Sequence, residues 1–187
     1  MRLTRTGLGL FLASGLAFSV QLYGQNTSQT QKEFSATAEV TTSQGTRSMP
    51  VTLIVTRPLS AAQARPLKKV LEAGGQQALM ASIRGGNRGR LNLGGIEAPL
   101  DLVIAEPANG ATQYVVVTTR NLKFEEVNEN RDTLDYPFAM LVFSVPEFGS
   151  GDGQLYLHCS LSVQENGRVL VEHYEDQPGK LKDIRLR

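Results

Sequence analysis

The sequence predicts an α+β domain: a curved antiparallel β-sheet of about seven strands, with a helical hairpin over about residues 60–84 packed on one face. Three observations predict it. Apolar and polar residues alternate before residue 56 and again after residue 100, the period of a strand. Between residues 60 and 83 the apolar residues recur at spacings of three and four, the period of a helix. Short turn-rich segments separate the later apolar runs, which favours antiparallel neighbours.

Residues 1–24 stand apart from this domain. Arg2 and Arg5 precede an uncharged apolar stretch, GLGLFLASGLAFSV (7–20). It is shorter than the about 20 residues that a membrane-spanning helix needs. Its length suits the core of a signal peptide, with cleavage expected after Gly24. No cysteine lies near that cut, so a lipid anchor is not expected there. Residues 25–33, including the polar NTSQTQKE, read as a flexible leader. Residues 34–187 read as one α+β domain.

Within the domain, FSATAEVT (34–41) places Phe34, Ala36, Ala38 and Val40 on one face of a half-buried strand. SQGT (43–46) is a turn signal, and PVTLIVT (50–56) is the hairpin partner. The helical stretch follows, with Leu67, Val70, Leu71, Ala78, Leu79 and Ile83 as its apolar positions. Pro66 begins or kinks the first helix, and Gly74-Gly75 ends it and opens a second. Strands resume with LDLVIAE (100–106), QYVVVTT (113–119), YPFAMLVFSV (136–145), QLYLHCSLSV (154–163) and RVLVEHY (168–174). EPANGA, GSGDG and ENG mark turns between them. The stretch 138–145 is apolar on both faces, so the helices are expected to cover the second face.

Several segments, GQQALMASI, VVVTTRNLKFEEV, LDYPFAMLVFSV, GSGDGQLYL and VEHYEDQPGKLKDIR, together resemble a family of small secreted bacterial proteins with no assigned function. The likeness runs over most of the chain from about residue 50. It implies secretion and a single domain, and it implies no activity.

Charge and composition exclude several partners. Loss of Arg2 and Arg5 leaves 19 − 2 = 17 basic against 18 acidic side chains, so no electrostatic attraction to nucleic acid or anionic membrane is expected. Cys159 is the sole cysteine, so no internal disulfide is possible. Zinc is disfavoured, because the chain has two histidines and one cysteine, and His158 and Cys159 are neighbours on a strand.

The densest polar run, KFEEVNENRDTLDYPF (123–138), fails the EF-hand pattern. Asn128, Asn130 and Asp132 fit its first three ligand positions, but Thr133 stands for the glycine and Ala139 for the closing glutamate. Glu126, Asp132 and Asp135 remain candidates for another Ca²⁺ geometry; the ordinary reading of 121–135 is a solvated connection, pinned by Phe124 and Val127. Its length leaves room for a lid.

Cys159 and His173 are candidates for a nucleophile and its base. A three-residue loop, 165–167, pairs Val163 with Val169 and Leu161 with Val171, and then sets Cys159 opposite His173. A packed core thiol beside a sheet-edge histidine is the ordinary reading. GSGDG is not the G-x-S-x-G of a serine hydrolase, and no carboxylate spacing marks a glycosidase. RGGNRGR lacks the Lys-Ser/Thr of a phosphate loop, but Arg84, Arg88 and Arg90 are candidates for a small anion site.

The expected function is therefore a secreted or periplasmic, non-catalytic binding or interaction module without a cofactor. Its expected partner is an envelope or extracellular protein or a small ligand, with no nucleic acid and no stable membrane insertion after cleavage. The alternatives are a carrier of apolar ligand or lipid in a cavity between sheet and helices, and an enzyme whose residues converge only in three dimensions.

Overall fold

The computed structural model describes residues 31–42, 45–120, 122, 136–173 and 177–187. The expected signal peptide, and residues 25–30 of the expected leader, lie outside them. The chain opens with the hairpin β1 (Lys32–Thr42) and β2 (Gly45–Val55), followed by α1 (Ala61–Ala64) and α2 (Pro66–Ile83). Next come β3 (Gly89–Leu93), β4 (Ile96–Pro99), β5 (Leu102–Ala108) and β6 (Ala111–Thr118). The last four strands are β7 (Phe138–Pro146), β8 (Gly151–Val163), β9 (Val169–His173) and β10 (Gly179–Leu186).

All the strand pairs are antiparallel, in the order β4-β3-β2-β1-β10-β8-β7-β6-β5, with β9 paired to β8. The sheet curls until its two edge strands meet. Leu100 N donates to Gly89 O on β3 at 3.0 Å, and Asp101 N donates to Val117 O on β6 at 3.0 Å. One continuous stretch thus leaves one edge and joins the other. The result is a half-barrel closed at this corner.

Phe34 on β1 shows which face is concave. Its ring lies 5.0 Å from Tyr114 on β6 and 5.6 Å from Phe143 on β7, although β10 and β8 stand between those strands in the sheet. Only the inside of the curl allows such contacts. Phe34, Leu53, Leu91, Tyr114, Leu141, Phe143, Leu155 and Leu181 fill that inside. A second cluster lies on the convex face, where Leu79 and Ile83 of α2 and Ala61 and Ala64 of α1 pack on Leu102, Val117, Phe138, Met140 and Leu161. On β7 the two sets alternate residue by residue, so both faces of this apolar strand are covered as expected. The helices sit on the convex face, however, and the concave face is filled by its own side chains.

Local chemistry sets the helices. Ser60 caps α1: its hydroxyl accepts from Gln63 N, and the Gln63 side chain accepts from Ser60 N. Pro66 stands in the first turn of α2, where its missing N–H costs nothing. Gly74 and Gly75 leave the helical conformation, Gly75 with φ 65°, so α2 is two pieces joined at the expected break.

The strand count differs from expectation. Among the described residues the sheet has ten strands. β3 lies inside RGGNRGRLNLGG (84–95) and β4 directly after it, where no strand is expected, and each is too short to show a period. β10 hides for another reason. Its register shifts between Leu181 and Ile184, with Asp183 at φ 54°, so its two buried hydrophobic side chains, Leu181 and Ile184, stand three apart and imitate a helix. β1 also begins earlier than expected, at Lys32.

GSGDG is only partly a turn, since Gly151 and Gly153 belong to β8. Gly153 pairs with Phe143 on one side and Leu181 on the other, and a Cβ there would lie 2.4 Å from Val142 O and 2.5 Å from Phe143 Cβ. The curl leaves no space for a side chain at this point.

Candidate functional site

A cleft of about 360 Å³ opens on the convex face beside the helices. Its floor comes from paired strands: Ile104 lies opposite Val115, Val115 opposite Val142, and Met140 opposite Tyr156. These residues continue the helix-covered cluster outward to where the helices stop. The next row of the same face is polar, with Glu106 opposite Gln113 and Gln154 beside Val142. Arg168, Val169, Leu170 and Val171 form the facing wall.

A bulge in β8 makes this wall possible. Phe138 pairs with Cys159 but Met140 pairs with Tyr156, so β8 carries one extra residue between these pairs. Leu155 and Leu157 face the concave core, whereas Cys159, Leu161 and Val163 join the convex cluster. In an unbroken strand the alternation Leu155, Leu157, Cys159, Leu161, Val163 would keep all five on one face; the bulge makes the strand change sides. The β8–β9 hairpin tip then docks on α1, where a Cβ on Gly167 would lie 1.8 Å from Ala61 O.

The charges at the cleft are held differently. Glu106 Oε1 accepts from Ala61 N at 3.1 Å, fixing the carboxylate beside the start of α1. Arg168 is anchored through its backbone, where its N–H donates to Asn166 Oδ1 at 3.0 Å. Glu106 and Arg168 line the same cleft without forming an ion pair among the described residues. The Tyr156 hydroxyl donates to Gln154 Oε1, and burial, with a smaller contribution from Cys159, raises the Tyr156 pKa.

A second hollow, of about 730 Å³, lies at one mouth of the curl. Lys32 closes its base, with Nζ donating to Tyr114 Oη at 3.0 Å and standing 5.7 Å from the ring centroid. Its walls are mainly the β5–β6 and β7–β8 turns. It lacks the continuous apolar floor of the convex cleft.

The candidates from the sequence fall in separate places. Cys159 is buried with Sγ 3.5 Å from Phe138 O, to which it donates, and burial pushes its thiol up to about 12. The expected register, Val163 with Val169 and Leu161 with Val171, is the one observed. It then shifts between Ser160 and Leu161, so His173 pairs with Ser160, not with Cys159. His173 is exposed and stacks on Tyr136 at 6.0 Å. A protonated core thiol facing a carbonyl is not poised for attack.

The arginines separate as well. Arg84 donates to Met80 Sδ at 3.4 Å, and Arg90 is exposed on β3 opposite Ile54. Arg88 turns to Arg57, a residue outside the expected set, and donates to its carbonyl at 2.7 Å. Glu126, Asp132 and Asp135 lie outside the described residues, as do Phe124 and Val127. Among the described residues no group of three or more His, Cys, Asp or Glu could hold a metal ion. No helix among them is long and apolar enough to cross a membrane.

Asp101 is the polar residue that sequence reasoning missed. It is buried at the closing corner, where Oδ1 accepts from Gly85 N at 2.9 Å and Oδ2 accepts from Thr119 N and Oγ1, each at 2.8 Å. Its signal was an acid between Leu100 and Leu102 in an otherwise apolar run. Glu106 and Arg168 carried no such signal, because only the fold brings them to one cleft. No family model, curated protein or solved structure matches the chain.

Proposed function

We infer that this chain is a non-catalytic binding module that works outside the cytoplasm and holds a small amphipathic ligand in the convex cleft. One observation carries the reading: an apolar floor of Ile104, Val115, Met140 and Val142 lies below a carboxylate and a guanidinium that do not pair with each other. The volume, about 360 Å³, falls in the range of small-molecule sites, about 300–1,000 Å³. The floor offers burial for an apolar body, at about 25 cal/mol per Å². Arg168 offers an ionic end point for an anionic head. The lining comes from β5 to β9 and from Arg168 just before β9, with no helix residue, which favours this placement over a cavity between sheet and helices. Arg2, Arg5 and the apolar stretch 7–20 support work outside the cytoplasm.

The test is a titration with 1-anilinonaphthalene-8-sulfonate, which joins an apolar ring system to one sulfonate. Saturable binding of one dye per chain with blue-shifted emission is expected. Val142→Glu, which puts a charge on the floor, should weaken it at least about tenfold, a loss of about 1.4 kcal/mol. Arg168→Glu on the exposed rim should do likewise. Absence of saturable binding, or affinity unchanged in Arg168→Glu, would overturn the assignment of the cleft.

A further inference from the structure

We propose that Arg57 and Arg88 form a second site, separate from the cleft, that binds a phosphate-type oxyanion between two clasped guanidinium groups. The clasp is reciprocal. Arg57 Nη2 donates to Asn87 O, next to Arg88, at 2.6 Å, and Arg88 Nη1 donates to Arg57 O at 2.7 Å. Each side chain is thereby tied to the backbone beside the other arginine. The crossing chain after β2 and the loop before β3 supply one cation each, and Thr56 N donating to Arg88 O at 2.9 Å fixes their relative position.

Two positive charges held together cost free energy unless something offsets them. No carboxylate among the described residues does so. The ion pairs of the described residues belong to Lys68, Lys182 and Arg187, and neither Arg57 nor Arg88 takes part. Partial burial, and then the neighbouring Arg57, lower the pKa of Arg88. A fold that keeps this pair uncompensated is suited to an anion from solution.

The donor chemistry narrows the class. A guanidinium has five N–H donors, and only one per arginine is spent on a carbonyl. The N–H groups of Gly85 and Gly86 are already used, by Asp101 Oδ1 and Ile83 O, so the arginine forks must do the binding. Each arginine keeps unspent N–H donors on its fork, and together the two carry a charge of two. A phosphate group, with three or more acceptor oxygens and up to two negative charges, matches both better than a carboxylate does. That group can be free inorganic phosphate or the headgroup of an anionic lipid.

The intact chain is melted in sodium phosphate and in sodium chloride at matched ionic strength, and is sedimented with vesicles of phosphatidylglycerol or phosphatidylcholine. The expected result is a saturable rise in melting temperature with phosphate that chloride does not reproduce. Arg57→Gln and Arg88→Gln should each abolish it, and Arg185→Gln, on the exposed side of β10, should leave it intact. Sedimentation with phosphatidylglycerol vesicles that phosphate reverses assigns the site to a headgroup; the phosphate effect without vesicle binding assigns it to the free anion. Should a glutamine variant fail to fold, Arg88→Lys keeps the charge and loses the fork, and its phosphate affinity should fall at least tenfold. Equal effects of phosphate and chloride, or an unchanged phosphate response in the folded Arg57 and Arg88 variants, overturn the site. Neither arginine lines the cleft, so this outcome leaves the ligand reading above untouched.

Discussion

The side-chain carboxamide of Gln76 pairs with the backbone of Leu161 as a strand residue would: Nε2 donates to Leu161 O at 2.8 Å, and Oε1 accepts from Leu161 N at 3.0 Å. β7 begins at Phe138, opposite Cys159, so β8 beyond that point has no β7 partner. Gln76 fills the gap from α2. The same Nε2 also donates to Glu172 Oε2 on β9 at 3.2 Å, so one residue ties helix, β8 and β9 together.

Gln76→Ala should therefore leave a donor and an acceptor of a buried residue unmet, at a cost of about 1–3 kcal/mol. Urea unfolding measures it. Gln76→Glu keeps the acceptor but loses the donor and sets a charge near Glu172, so it should be no better than alanine. A stability within about 0.5 kcal/mol of the parent, the scatter of neutral surface changes, would contradict the role given to this residue.

Asp101 makes the second prediction. It binds the loop before β3 to the turn after β6 through three hydrogen bonds, each to an ionisable acceptor. Asp101→Ala should cost about 3 kcal/mol, because the N–H groups of Gly85 and Thr119 lose their partner. Asp101→Asn retains one carbonyl oxygen and turns an NH₂ toward a donor, so it should fall between. Hydrogen exchange at Gly85 and Thr119 should quicken in both variants.

Cys159 makes the third. Its folded-state pKa, about 12, lies above the ordinary 9.0, so the folded chain holds the protonated thiol more strongly than the unfolded chain does. The contribution is complete below about 9 and is lost as pH rises toward about 12. Cys159→Ala should show a shallower alkaline decline in stability than the parent. Thiol reagents at pH 8 should label the parent only after unfolding; rapid native labelling would contradict the buried placement.

Gly153 makes the fourth. Gly153→Ala forces a Cβ against Val142 O and Phe143 Cβ and should cost about 3 kcal/mol or prevent folding, as overpacking in a rigid core does. Gly110→Ala is the control: its φ of 77° strains an alanine by about 1 kcal/mol, but space there is open. Similar midpoints in the two variants would mean that β8 relaxes freely.

What the sequence showed plainly was the period of long elements. β1 with β2, the helical interlude broken at Gly74-Gly75, and the two-faced β7 follow from residues that neighbours in the chain make legible. The Glu165–Gly167 loop is legible too, since matching Val163 with Val169 fixes its register. Bulges were illegible. In β8, β9 and β10 an extra residue shifts the period: Glu172 in β9 moves His173 off Cys159, and the irregular spacing in β10 hides that strand. The cleft was illegible for a related reason. Glu106 and Arg168 meet only because the bulged β8 carries β9 across the convex face, and no local pattern encodes that.

The place of β10 has a consequence for biosynthesis. It lies between β1 and β8, pairing Leu186 with Phe34 and Gly179 with Leu155, so it joins the first-made hairpin to the later strands. Until the ribosome has delivered residues 179–186, β1 and this edge of β8 each stand open to pairing with another chain. Translation pauses or truncations before that point should therefore yield aggregates or chaperone-bound chains, and the sheet should assemble only after synthesis has passed Leu186.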